Sequence, residues 1–227
     1  DAHRLKELGS KHCAKRVHRD VMAHACFLLT SSSTYSDGQH ASREKLQFLA
    51  DSTEVDTWAT KTTGTDKAKI HQRLIATHCS MTDTKWWTSF KQMHEDWDKL
   101  HPNAPKRDFL LPTPNRNLDG YYLQPCPNNK FLKLYRQALD EMARRHSIDL
   151  KPPPERLFLS SFRVQGPDEA LQCGIAAHHR REMADWANDK MTDIYTRNRR
   201  KILADIWRQM KAHYTKDGGH YEPGRHP

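Results

Sequence analysis

The chain has 227 residues, with 37 Lys and Arg against 28 Asp and Glu, a formal charge of +9, and 15 histidines. Its mean hydropathy is −0.93, and no apolar run approaches the roughly 18–20 residues that cross a bilayer, so an integral membrane protein is not expected. Asp1-Ala2-His3-Arg4 has no apolar core of the secretory-signal kind. Six Trp, seven Phe and seven Tyr supply the bulk for a core, and the positive balance favours a polyanionic partner, nucleic acid before membrane surface.

Cys13, Cys26, Cys79, Cys126 and Cys173 are odd in number and scattered, without a C-x-x-C pair. That pattern fits free thiols in a reducing, intracellular compartment. His12-Cys13, His24-Ala25-Cys26 and His78-Cys79 lack the second matching pair that a structural zinc site needs, so no metal is expected.

In chain order, Val17, Val21, Met22, Ala25, Cys26, Leu28 and Leu29 give residues 15–30 a helical period with one buried face. Ser31 to Gly38 interrupts it with turn chemistry, and a shorter helical piece resumes over 42–50. Val55–Lys61 and Lys69–Ala76 read as two strands of a hairpin around Thr62-Thr63-Gly64-Thr65-Asp66. Trp86, Trp87, Phe90, Met93, Trp97 and Leu100 predict a helix over 83–100 whose aromatic face packs in a core. Pro102 to Pro127 reads as a connection, and 128–146 as a helix with Leu132, Leu134, Leu139 and Met142 inward. Pro152-Pro153-Pro154 breaks the chain, and Leu157 to about Tyr214 is helical apart from turns near Gly166-Pro167 and Gly174. The fold class is α+β, predominantly α, with a small antiparallel hairpin. One domain spans 1–217, and 218–227 is a frayed tail.

Four residues in this frame sit at informative spacings. Trp186 follows Arg163 by 23 residues, Tyr195 follows Trp186 by 9, and Lys61 ends the first strand of the hairpin. A tyrosine hydroxyl is a weak nucleophile at its ordinary pKa of about 10 and needs cationic or hydrogen-bonding help. A planar guanidinium binds two non-bridging oxygens of a phosphodiester, an indole N–H donates to them, and a lysine protonates a leaving 5′-oxygen. Together these types suit phosphoryl transfer through a 3′-phosphotyrosine. Taken singly, each is more often a packing or surface residue.

Leu159 to Arg200 resembles the C-terminal part of the tyrosine recombinases, the phage-integrase family. Ser160-Ser161-Phe162-Arg163 matches the family's His-x-x-Arg box, with Ser160 in the His place. Ala170 to Ile175 resembles its small-residue helix, Asp185-Trp186 its Gly-His or Gly-Trp, and Tyr195-Thr196-Arg197 its nucleophile segment. Upstream, Thr34-Tyr35-Ser36-Asp37 resembles the end of Thr-Gly-Leu-Arg-x-Ser-(Glu/Asp). Asp37 fits the acidic position, Thr34 replaces the first catalytic Arg, and Lys61 fits the hairpin lysine. The resemblance runs over roughly 15–215, and its helical core-binding domain is missing ahead of residue 1. It implies duplex DNA as partner, self-association on DNA, and no metal, nucleotide cofactor, membrane or small-molecule substrate. It also implies a nuclear location in a eukaryote, or cytoplasm and nucleoid in a prokaryote or virus.

Thr34 and Ser160 remove two charged or proton-handling positions, and one such loss commonly costs about 10²–10³ in rate. Arg43, the nearest replacement, would have to reach from the next segment. Two states therefore stay open: a working recombinase, and a mobile-element remnant that binds DNA without cleaving. Phosphate contacts are expected from Arg180, Arg181, Arg197, Arg199, Arg200 and Lys201, which crowd around the proposed nucleophile. On the same last helix, Ile202, Leu203, Ile206, Trp207 and Met210 form an apolar stripe, either an intermolecular plug or packing within the chain.

Overall fold

The computed structural model describes residues 2–57, 72–79, 85–104, 106–150, 153–159, 161–184 and 195–216. A long first helix, α1 (Ala2–Thr30), runs through the principal core. Its second half is buried on more than one face: Val17, Val21, Ala25 and Leu28 on one side, Asp20, Ala23, His24 and Phe27 on others. The single buried face expected from periodicity is thus too narrow, because α1 is covered by α3, α4 and α5 together. A five-residue helix, α2 (Tyr35–Gln39), follows the turn. Residues 42–50 depart from the expected helix: they form one 3₁₀ turn, Arg43–Lys45, and a short strand β1 (Gln47–Phe48).

Strands β2 (Ser52–Thr57) and β3 (Gln72–Thr77) pair antiparallel, with Glu54 opposite Ile75, and β1 adds to the β2 edge. Thr53, Val55 and Thr57 supply the β-branched side chains that suit a pleated, buried surface. The hairpin's expected strand ends and loop, Lys61 among them, lie outside the described residues.

Helix α3 (Trp86–Leu100) buries Trp86, Phe90, Met93, His94 and Trp97 as its spacing predicts, while Leu100 ends exposed. The expected connection after it holds a second small sheet, β4 (Pro112–Pro114) and β5 (Tyr121–Pro125). Prolines are tolerated there because the sheet has only two strands, so each strand has an unpaired edge. Helix α2 stitches this piece down. Tyr35 Oη donates to the Cys126 carbonyl at 2.6 Å, and Gln39 Nε2 donates to the same oxygen at 3.1 Å. Helix α4 (Asn128–His146) turns Phe131, Leu134, Ala138 and Leu139 inward, whereas Met142 is exposed.

A 3₁₀ turn at Pro154–Arg156 leads into α5 (Ser161–Gln172), α6 (Ala177–Ala184) and α7 (Tyr195–Lys216). The turn expected at Gly166-Pro167 does not form, and α5 runs through both residues. Proline has no N–H to give, so the carbonyl of Arg163, four residues back, loses its usual helical donor. The second core lies under α7. Leu203, Ile206, Trp207 and Met210 pack against Ile75 of β3, Ala170 of α5, Ile175 and Met183. The apolar stripe on α7 is therefore satisfied within the chain.

Two histidines sit wholly inside the principal core. His24 is ringed by Phe27, Tyr35, Phe90 and Phe131 at centroid distances of 5.6–6.3 Å, and neither ring nitrogen has a partner. Burial holds its imidazole at a pKa of about 3. His94, one turn beyond Phe90, is pushed the same way by burial, then by the Arg107 and Arg43 guanidinium groups. Both are neutral when folded and take up a proton when unfolded below about pH 6.5. The unfolded state thus binds more protons, and stability falls as pH drops from about 6.5 toward 3. The slope contributed is about 1.4 kcal/mol per pH unit for each histidine. Urea midpoints measured between pH 7.5 and 4.5 will fall steeply for the native chain and less steeply for His24→Leu. Trp207→Ala will cost about 3–5 kcal/mol by the same measurement. Because Trp207 packs in cis, that loss will not depend on protein concentration.

Candidate functional site

The end of α1 sets the geometry of the site. Ser33 N–H donates to the Leu28 carbonyl at 2.9 Å and Ser32 N–H to that of Leu29 at 3.1 Å. This is the paired bonding of a Schellman terminus, with Ser32 at φ 49 where glycine is usual. Thr30 and Ser31 hydroxyls donate back to the Cys26 and Phe27 carbonyls, both at 2.7 Å, while the Schellman pair serves the Leu28 and Leu29 carbonyls. Ser31, Ser32, Ser33 and Thr34 are all buried.

Thr34 then caps α2. Its hydroxyl accepts from Asp37 N–H at 3.3 Å, and Asp37 Oδ2 accepts from Thr34 N–H at 2.8 Å and Thr34 Oγ1 at 2.7 Å. The pair forms a reciprocal capping box. Asp37 Oδ1 is buried with no partner, and so is Ser32 Oγ. Thr57 Oγ1 donates to the Asp37 carbonyl at 3.0 Å, which ties the turn to the end of β2.

Helix α5 docks directly on this turn. A Cβ on Gly166 would stand 3.1 Å from Ser32 Oγ and 2.7 Å from Met183 Cε, so any larger residue makes the Met183 side chain shift and crowds the turn. One helical turn earlier on α5, Arg163 is half-buried and forms no hydrogen bond or ion pair with another described residue. The described part of the site is thus a buried, hydroxyl-rich turn, a capping carboxylate, and one arginine on the helix packed against it.

Of the residues singled out in the sequence, the structure brings Thr34, Asp37 and the helix of Arg163 together. Lys61, Ser160 and Trp186 lie outside the described residues. Tyr195 is the first residue of α7, and its side chain lies outside the described set, as do those of Arg181, Arg197, Arg199, Arg200 and Lys201. Arg180 is half-buried on α6, where its Nε donates to the Ile175 carbonyl at 3.1 Å. Arg43 faces elsewhere: it pairs with Asp98 of α3 at 2.5 Å and does not stand in for the arginine absent at Thr34. Among the described residues no group of three or more His, Cys, Asp or Glu is placed to hold a metal ion. Cys26, Cys79 and Cys126 are free thiols.

No family model, curated protein or solved structure matches this chain.

Ser32 and Gly166 are the two positions the sequence did not flag. Gly166 carried a signal, a glycine inside an otherwise helical pattern, whose meaning is close backbone approach rather than a turn. Ser32 carries only the general turn signal of Ser31 to Gly38, since serine is an uncommon residue at a left-handed helix end. The positive φ there predicts that Ser32→Gly will raise stability by about 1 kcal/mol. Thr34→Ala, which removes the cap, will lower it by about 1 kcal/mol. Urea unfolding of the two variants beside the native chain measures both.

Proposed function

We propose that this chain is a DNA-binding catalytic domain of tyrosine-recombinase type, which cleaves and rejoins strands through a 3′-phosphotyrosine at Tyr195. The observation that carries this reading is the corner where the α1 terminus meets α5. The family's Thr-Gly-Leu-Arg-x-Ser-(Glu/Asp) motif requires a turn after a long helix, with a glycine two residues before its arginine. Here Ser32 takes the left-handed conformation two residues before Thr34, Asp37 occupies the acidic place, and the helix of Arg163 packs on that turn. A three-stranded antiparallel sheet follows, and Lys61 falls in sequence between its strands β2 and β3, outside the described residues.

In this mechanism Tyr195 Oη attacks the scissile phosphorus, the 5′-oxygen leaves, and the attacking hydroxyl's proton passes to solvent or a neighbouring base. Arg163 holds two non-bridging oxygens and Trp186 donates one further hydrogen bond. Lys61 gives a proton to the leaving 5′-oxygen, and Ser160 donates where the family has histidine. The reverse attack by a 5′-hydroxyl rejoins the strand. Arg180, Arg181, Arg197, Arg199, Arg200 and Lys201 neutralise flanking phosphates. Self-association on DNA, if it accompanies cleavage, uses a surface other than the α7 stripe, which the second core occupies.

One observation favours a second reading, a DNA-binding remnant without cleavage. Thr34 Oγ1 is committed to Asp37 inside the capping box, so the place of the first arginine offers a phosphate neither a charge nor a free hydroxyl. A nicked suicide duplex carrying the cognate site separates the two. The catalytic reading expects a covalent protein–DNA adduct that Tyr195→Phe abolishes and Arg163→Ala slows by about 10²–10³. Salt-dependent binding without an adduct, unchanged in Tyr195→Phe, establishes the remnant instead.

A further inference from the structure

We propose that Ser147 is a phosphorylation site for a serine/threonine kinase that selects substrates by paired arginines. Arg144-Arg145-His146-Ser147-Ile148 is the one place in the chain where two consecutive arginines are followed, two residues on, by serine. The three consecutive-arginine pairs are Arg144-Arg145, Arg180-Arg181 and Arg199-Arg200, and the last two continue into Glu-Met and Lys-Ile. Arginines at these offsets are what acidic subsites recognise bidentately, and such charge patterns are a common basis of kinase selectivity.

The structure makes the segment available. Helix α4 ends at His146, and Ser147 follows at φ 53 and ψ 41, a left-handed conformation that is costly for a residue with a Cβ. The Ser147 and Ile148 N–H groups both donate to the Ala143 carbonyl at this terminus. From Ile148 to Leu150 the chain has no regular structure, whereas Arg144, Arg145 and His146 form the last turn of α4, which has to unwind for the arginines to enter a kinase's subsites. Ser147 is exposed, and its hydroxyl makes no hydrogen bond to a described residue. Ile148 leaves 48% of its surface in water, a large apolar side chain beside the acceptor and free to enter a pocket.

The arginines are equally accessible. Arg144 Nη2 lies 2.7 Å from Glu141 Oε2 and Arg145 Nη2 2.6 Å from Glu141 Oε1, both on the surface. Exposed pairs of this kind contribute little, so exchanging Glu141 for a kinase's carboxylates is easy. In the transfer, Ser147 Oγ attacks the γ-phosphorus of a nucleoside triphosphate and the bond to the β,γ-bridging oxygen breaks. The nucleoside diphosphate leaves, and the serine proton passes to the kinase's catalytic aspartate. The product carries a charge near −2 at the negative end of the α4 dipole, with Arg144 and Arg145 beside it. Those arginines then exchange Glu141 for the phosphate, and the last turn of α4 loosens.

The test incubates the full chain with a purified arginine-directed kinase and ATP, then maps phosphate by mass spectrometry. One phosphate on Ser147 is expected, absent in Ser147→Ala. The double variant Arg144→Gln/Arg145→Gln will cut the initial rate by about tenfold or more while its thermal midpoint stays native. Amide exchange in residues 143–148 will quicken on modification. Labelling that persists in Ser147→Ala overturns the proposal. So does an unlabelled full chain when a peptide of residues 140–151 is labelled, since the fold then hides the site.

Discussion

The second half of α1 is enclosed on more sides than a surface helix is, and most of the structure follows from that enclosure. A helix exposed on one side can face water with its polar residues, but this one cannot. Asp20 is therefore bound by Tyr121 Oη at 2.7 Å and by Arg19, and burial still raises its pKa. His24 is neutral in an aromatic cage. Where α1 stops, its carbonyls are buried too, and water cannot cap them. A Schellman turn serves the Leu28 and Leu29 carbonyls, and the Thr30 and Ser31 hydroxyls add bonds one turn earlier, to Cys26 and Phe27.

That same terminus carries the functional question. A run of small hydroxyl residues is a good way to close a buried helix, and Thr34 is a good cap for the next one. Each of these roles competes with placing a cation there. A guanidinium at position 34 would bring a long charged side chain into a turn where Ser31, Ser32 and Ser33 are all buried. It would have to pair with Asp37, whose Oδ1 is buried and unpartnered in the present arrangement. The carboxylate thus retains one acceptor oxygen of the sort an arginine would use, while the threonine has taken the other.

Local periodicity made some of this legible and tertiary packing hid the rest. The spacing of Trp86, Phe90, Met93 and Trp97 gave α3 because one face of that helix is buried and the other is solvated. For α4 the bounds 128–146 coincide with the observed helix, since Pro127 and Ser147 punctuate its ends. The strands β4 and β5 escaped notice because Pro112, Pro114 and Pro125 read as breakers, and only pairing shows that the prolines sit in a two-stranded ribbon. Gly166-Pro167 misled in the opposite sense. Its proline tolerates a helix when one lost hydrogen bond is outweighed by packing, and the packing partner, Ser32, is far away in sequence. The intervals among Arg163, Trp186 and Tyr195 are visible in the sequence, whereas the seating of α5 on the α1 terminus is not.

The second core adds a mechanical argument. Trp207 and its neighbours on α7 share one cluster with Ile75 of β3 and Ala170 of α5. The helix that begins at Tyr195, the strand that returns from the hairpin and the helix that carries Arg163 therefore have their apolar faces in common. Burial pushes the Cys79 thiol upward, and the nearby Arg208 and Lys211 of α7 pull it back. The elements that begin at Tyr195 and carry Arg163 are thus fixed to one another and to β3 by packing among Ile75, Ala170, Leu203, Ile206, Trp207 and Met210. Such packing does not depend on the residue at position 34, so threonine or arginine there leaves the second core unchanged.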